Sequence, residues 1–195
     1  LHVFAASNDG GNNCAPYTAG YHTIGSNENC AKNVLTVGAL TSADVIASFS
    51  SRGPCNDGRI KPEVSAVGVN VTSTVRTGGG GVKSGTSMAT PGTSGTIALL
   101  IQRYRQLHGN ADADAALYKA ILANTADDQG TAGPDYYYGF GRINARKAVE
   151  CMEANRYFEG SASQSDSVSY SITVPSGASL LKVMLYWCDK DGNPA

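Results

Sequence analysis

Several common function classes are excluded by what this 195-residue sequence lacks. No apolar run approaches the roughly 20 residues that a helix needs to cross a bilayer, so the sequence has no membrane-spanning segment. A charge excess is also missing: the formal net charge is -1 and only 16% of residues are charged, which leaves no electrostatic footprint for nucleic acid or an anionic surface. The five cysteines, Cys14, Cys30, Cys55, Cys151 and Cys188, include no C-x2-C pair, which excludes thiolate zinc sites of the finger type. Cys14 and Cys30 bracket a polar, Gly- and Asn-rich loop, so they either form a disulfide in an oxidising compartment or stay reduced with the other three. A phosphate-cradling loop is absent as well, because Val82 rather than Gly precedes Lys83-Ser84. The sequence begins at Leu1 in what reads as mid-strand, without an initiating Met, so the lack of a leader peptide excludes nothing.

What is abundant is glycine, with 23 residues, beside a hydrophobic content of 42%. This composition predicts a tightly packed α/β protein with many turns, large enough for one core or for one domain and part of another. Its centre is Gly85-Thr86-Ser87-Met88-Ala89-Thr90-Pro91, preceded by Gly78 to Gly81 and followed by Ile97, Ala98, Leu99, Leu100, Ile101, Tyr104 and Leu107 at the spacing of one buried helix face. Ser87 therefore stands where a loop becomes a helix. There it reads either as an N-cap or as a nucleophile whose hydroxyl lies in the field of unpaired amide groups. Pro91 fits near the start of that helix, where a missing N–H costs little.

The string Gly85 to Pro91 resembles the nucleophile signature of the subtilisin-like serine proteases, the subtilases. Three further stretches resemble the same family in the expected order. They are Phe4-Ala5-Ala6-Ser7-Asn8-Asp9-Gly10, then Ala47 to Pro54 with Lys61-Pro62-Glu63-Val64, and finally Tyr138-Gly139-Phe140-Gly141-Arg142-Ile143-Asn144-Ala145. The resemblance implies a subtilisin-like α/β domain of three layers around a parallel sheet, with its N-terminal part missing, over residues 1–155. It implies Ser87 as the nucleophile and Asn8 as the side-chain donor to the oxyanion, although Asn before Asp-Gly also reads as a turn residue. Ala5, Ala6 and Ser7 would wall the main substrate pocket. Subtilases often have Gly where Ser7 stands, so the extra side chain narrows the pocket or adds a hydrogen bond. Where Val67 stands, they commonly have Pro at a turn.

Along the chain, strands are predicted at Leu1 to Ala6, Val34 to Leu40, Ile46 to Ser51 and Val69 to Val75, with Gly78 to Gly81 joining the last of these to the nucleophile segment. A helix capped by Asp112 or Asp114 carries Ala116, Leu117, Ala120, Ile121 and Leu122, and Asn144 caps another with Ala145, Ala148, Val149 and Met152 on one face. Tyr136, Tyr137 and Tyr138 read as packing residues. The composition changes after Asn155: Val168 to Val174 alternates strictly, and Leu180 to Trp187 follows a Pro175-Ser176-Gly177 turn. Residues 156–195 thus look like the start of the β-sandwich or jelly-roll domain that follows some subtilase catalytic domains, incomplete at Ala195. Asp189 and Asp191 either help bind a structural calcium or make a turn round Gly192.

A hydrolytic serine needs a base and a group to orient it. Subtilases order these as Asp, His, Ser, and none of His2, His22 and His108 lies in the family's histidine setting. The resemblance therefore implies a secreted, cell-surface or periplasmic serine endopeptidase acting on proteins or peptides without a catalytic cofactor. Its Asp and His would come from an upstream segment, and the 195 residues would be inactive alone. The alternative is a pseudoprotease or a binding or adhesion module on the same scaffold.

Overall fold

The β-branched run before Ala39 forms β2 (Leu35–Leu40), and all six of its residues are buried. A strand buried on both faces is the mark of a parallel sheet, and β2 is the centre of one. It pairs in parallel with β1 (Val3–Ala5), Val3 opposite Leu35, and with β3 (Val64–Val67), Val37 opposite Val64. The order is therefore β1-β2-β3. This computed structural model describes residues 1–16, 20–25, 27–163 and 165–188.

A short helix, α1 (Asn27–Cys30), leads into β2. After β3 comes a two-stranded antiparallel ribbon of β4 (Val71–Thr74) and β5 (Gly80–Lys83). Here the sequence reading is corrected: the glycine run is not only a joint, since Gly80 and Gly81 pair with Thr74 and Ser73. Val67, expected at a turn, is the last residue of β3.

The helix α2 (Thr86–Leu107) packs across all three parallel strands, and α3 (Ala115–Thr125) and α4 (Ala145–Glu153) pack against it and each other. Its buried face is narrower than the apolar run suggested. Ile97, Leu100 and Tyr104 are buried, whereas Ala98, Leu99 and Leu107 face outward, Leu99 at 59% exposure. Asp114 takes the N-cap position of α3 but makes no side-chain cap bond, and Asp112 pairs with Arg105. Asn144 caps α4 as expected, accepting the Lys147 N–H at 2.9 Å.

Ile46 to Ser51 is not a strand. Its polar groups bind the ends of the sheet instead of a ladder. Ser50 Oγ accepts the Ala39 N–H, Ser51 N–H donates to the Ser7 carbonyl, and Ser51 Oγ accepts the Asp9 N–H. The Cys14–Cys30 pairing is also overturned: Cys30 is bonded to Cys55, with Cα atoms 6.0 Å apart, and Cys14 is free. The N–H groups of His22, Thr23 and Ile24 donate to the Gly53 and Arg52 carbonyls, the Arg52 N–H donates to Thr23 Oγ1, and together these bring Cys55 to Cys30. Tyr138 has a packing role, its hydroxyl accepting the Ile46 N–H at 3.2 Å.

Beneath the sheet lies a buried cluster of charge. Lys61 and Lys119 both donate to Glu63 Oε1, at 2.5 and 2.6 Å, while Glu63 Oε2 accepts the Thr36 N–H at 2.7 Å. The Val34 carbonyl and the Thr36 hydroxyl accept the other Lys61 protons, and the Val34 and Lys32 carbonyls those of Lys119, which leaves this a satisfied structural triad.

Beyond Asn155, the alternating segments 168–174 and 180–187 form no strand among the described residues. Val168, Tyr170, Ile172 and Val174 are exposed, as are Leu181, Val183, Leu185 and Trp187. Two such segments bury too little to hold a sheet by themselves.

Candidate active site

Ser87 is the second residue of α2, and its side chain is exposed. The position follows from close backbone packing. The Gly85 N–H donates to the Gly68 carbonyl at 2.8 Å just beyond β3, and a Cβ on Gly68 would come within 2.7 Å of the Gly85 carbonyl oxygen. Only a bare α-carbon lets the helix start meet the carboxyl end of the sheet so closely. First-turn amide donors of α2 have no intrahelical acceptor, so Ser87 presents its N–H and hydroxyl together at a pole that favours negative charge.

Pro91 falls at the sixth position of α2, beyond the first turn. Its ring lacks the N–H that would have bonded the carbonyl four residues earlier, which is that of Ser87. The expectation of a nearly costless first-turn proline is therefore corrected: Pro91 removes a helical bond directly from the Ser87 peptide.

Asn8 follows β1 by three residues, and its side-chain oxygen is committed. Oδ1 accepts both the N–H of Thr86, at 2.9 Å, and its hydroxyl, at 3.1 Å. Thr86 is wholly buried and fixes the amide plane. The Asn8 Nδ2 group is then turned toward the start of α2, where a Cβ built on Gly85 would lie 3.7 Å from Nδ2 and 3.7 Å from the Ser87 nitrogen. Two donors, Asn8 Nδ2 and the Ser87 N–H, thus lie within 3.7 Å of one point at the start of α2. Donors that converge on one oxygen stabilise negative charge on it.

Ala5 ends β1, and the buried Ala6 donates its N–H to the Val37 carbonyl, which carries the chain past β2 toward Ser7. Ser7 adopts φ +83°, and its Oγ accepts from Asn29 Nδ2 at 2.9 Å. A left-handed backbone here explains why glycine suits the position. Of the two roles read for the Ser7 side chain, the hydrogen bond is present. Sequence reasoning missed Thr86 and Asn29, since neither carries a local signal of its distant partner.

Among the described residues no histidine reaches Ser87. His22 Nδ1 lies 2.9 Å from the Pro54 carbonyl, and the His108 ring sits between the Tyr104 carbonyl and the Tyr157 hydroxyl. No group of three or more His, Cys, Asp or Glu side chains among the described residues is disposed to hold a metal ion. Asp189 and Asp191 lie outside the described residues. No described helix is long and apolar enough to cross a membrane.

Comparison with known proteins matches residues 1–141 to the model of the subtilase family, peptidase S8. Serine protease AprX of Bacillus subtilis is 36% identical over an alignment of 140 positions that covers 61% of this chain and 30% of AprX. Subtilisin of Bacillus pumilus is 33% identical over 148 residues, covering 76% of this chain and 46% of that protein. Among solved structures, the CspB protease of Clostridium perfringens superposes with a TM-score of 0.63 at 28% identity, over 71% of this chain and 30% of its own. The chain thus spans less than half the length of these relatives. With the Asn8 and Ser87 segments brought together at the head of α2 and the family model matched over residues 1–141, the chain belongs to the subtilase family.

Proposed function

We propose that the protein to which this chain belongs is a serine endopeptidase in which Ser87 is the nucleophile. The observation that carries the reading is the exposed Ser87 hydroxyl at the head of α2 beside an Asn8 amide whose oxygen is already taken by Thr86. Ser87 Oγ attacks the scissile carbonyl while a base takes its proton. The oxyanion receives the Ser87 N–H and Asn8 Nδ2, the amine leaves, and water releases the acyl group. Ala5, Ala6 and Ser7 wall the pocket for the substrate side chain. The route needs no cofactor.

The His and Asp come from sequence upstream of Leu1. Two features support a further segment docking near Ser87. β1 bonds only β2 among the described residues, and the outer side of α2 exposes Pro91, Gly92, Gly95, Ala98 and Leu99. Residues 156–195 begin a second, β-sandwich domain whose remaining strands complete it. Substrates are proteins or peptides met outside the cytoplasm or at the cell surface, in keeping with the Cys30–Cys55 disulfide.

The test is to express the chain with its upstream sequence and treat it with a fluorophosphonate, which labels an activated serine. Labelling that disappears in Ser87→Ala is the expected result. A folded, extended protein that stays unlabelled would overturn the reading in favour of a pseudoprotease, and labelling that survives Ser87→Ala would move the nucleophile elsewhere.

A further inference from the structure

Ser7 holds a backbone conformation that serine enters only at a cost, φ +83°. Such a conformation persists when its surroundings over-determine it, and here two contacts do so. The Ser7 carbonyl accepts the Ser51 N–H at 3.0 Å, and its Oγ accepts Asn29 Nδ2 at 2.9 Å. Ser51 also reaches past Ser7, its Oγ accepting the Asp9 N–H at 2.9 Å. Asn8, which faces Ser87, is therefore bracketed by residues whose positions depend on Asn29 and Ser51.

Asn29 is itself anchored. It is 8% exposed, its backbone carbonyl accepts the Thr36 hydroxyl at 2.6 Å at the start of β2, and the next residue, Cys30, is bonded to Cys55, four residues beyond Ser51. The disulfide thus ties the segment that carries Asn29 to the segment that carries Ser51, the two holders of Ser7. Asn29 lies outside the Ala5 to Asn8 stretch, yet its side chain holds Ser7, whereas Asn8 is held separately by Thr86.

We propose that Asn29 is a positioning residue for substrate binding, acting through its side-chain bond to Ser7 and held in place by the Cys30–Cys55 disulfide. The inference rests on the reading of Ser87 as nucleophile and Ser7 as pocket wall. Without the Asn29 amide, Ser7 relaxes away from φ +83° and the wall shifts, while the Thr86 clamp on Asn8 remains. Binding of substrate is weakened more than the chemical step.

The test is a double-mutant cycle on the full-length protease, comparing wild type, Asn29→Ala, Ser7→Gly and the double variant for kcat and KM on peptide p-nitroanilides. Fluorophosphonate labelling of each is recorded alongside. Asn29→Ala is expected to raise KM about fivefold to tenfold, the worth of one hydrogen bond, with kcat within about twofold of wild type. Whatever Ser7→Gly does alone, Asn29→Ala adds nothing in that background, because glycine takes the left-handed backbone without help. Equal effects of Asn29→Ala in both backgrounds, or a fall in thermal stability with KM unchanged, would overturn the proposal while leaving the protease reading intact. Should Asn29→Ala not fold, Ser7→Ala removes the same bond from the other side and must raise KM by the same factor. A wild type that is neither labelled nor active would overturn the protease reading and this inference with it.

Discussion

The side-chain oxygen of Asn8 accepts two hydrogen bonds from one residue, the N–H of Thr86 at 2.9 Å and its hydroxyl at 3.1 Å. This pairing leaves the Nδ2 end of the amide to face the start of α2, where Ser87 lies. Asn8→Asp keeps an acceptor for Thr86 but replaces the Nδ2 donor with an oxygen of the wrong charge. The expected outcome in the full-length enzyme is a melting temperature near wild type with kcat lower by about 10²–10³, a figure that belongs to the equivalent donor of subtilisin and is taken over for this relative. Steady-state kinetics beside calorimetry separates the two effects. A variant with normal kcat would remove Asn8 from the oxyanion site.

The Cys30–Cys55 bond closes a loop over a sequence separation of 25. Chain entropy makes a cross-link of this span worth about 3 kcal/mol. Cys30→Ser and Cys55→Ser should therefore lower the melting temperature by several degrees and equally, whereas Cys14→Ser should leave it unchanged. Peptide mapping without reduction must recover Cys30 joined to Cys55. Recovery of Cys14 joined to Cys30 would restore the simpler expectation drawn from the polar loop between those two residues.

Which parts of this arrangement were legible beforehand follows from where each signal lies. β2, α2 and the Asn144 cap are written in contiguous residues, as apolar runs, a 3.6-residue period and a capping side chain. Ser87 and Asn8 stood out through their motifs. Thr86, Ser51 and Asn29 did not, because each acts on a residue 20 or more positions away and nothing beside it in sequence names that partner. Ile46 to Ser51 has a strand's composition, yet Ser50 and Ser51 spend their hydrogen bonds on the ends of β1 and β2. Cys55 looked unpaired because the Thr23–Arg52 contact that brings it to Cys30 is a tertiary one.

Glu63 is the single carboxylate between two buried ammonium groups, those of Lys61 and Lys119. Glu63→Ala leaves both without a counter-charge, and the expected loss is about 3–5 kcal/mol in urea unfolding. Lys61→Met should cost less, because a flexible apolar chain fills the space and Lys119 still satisfies Glu63. Burial pulls the Lys61 ammonium down to about 8 although Glu63 opposes the shift. The unfolded chain, with lysine near 10.4, binds the extra proton between these values, so this group makes stability rise as pH goes from about 8 to about 10.4. Lys61→Met should lack that rise.

Asp127 behaves in the opposite sense. Partial burial alone would raise its carboxyl, but hydrogen bonds from Lys147, Arg142 and Asn144 reverse this and hold it well below the ordinary carboxylate range. A depressed folded-state value contributes stability that is fully present above the unfolded value, about 3.9, and is lost as pH falls below it. The network joins the turn after α3 to residues 141–143, which run beside β3, and to the cap of α4, so its loss loosens the packing of both helices. Asp127→Asn should lower stability at pH 7 and flatten the acid limb of a plot of unfolding free energy against pH. The wild-type excess should begin to shrink below about pH 3.9 and vanish only as pH falls through the depressed folded-state value. An unchanged acid limb in the variant would show that other carboxylates govern acid unfolding and that the Asp127 network carries little of the folded state's proton linkage.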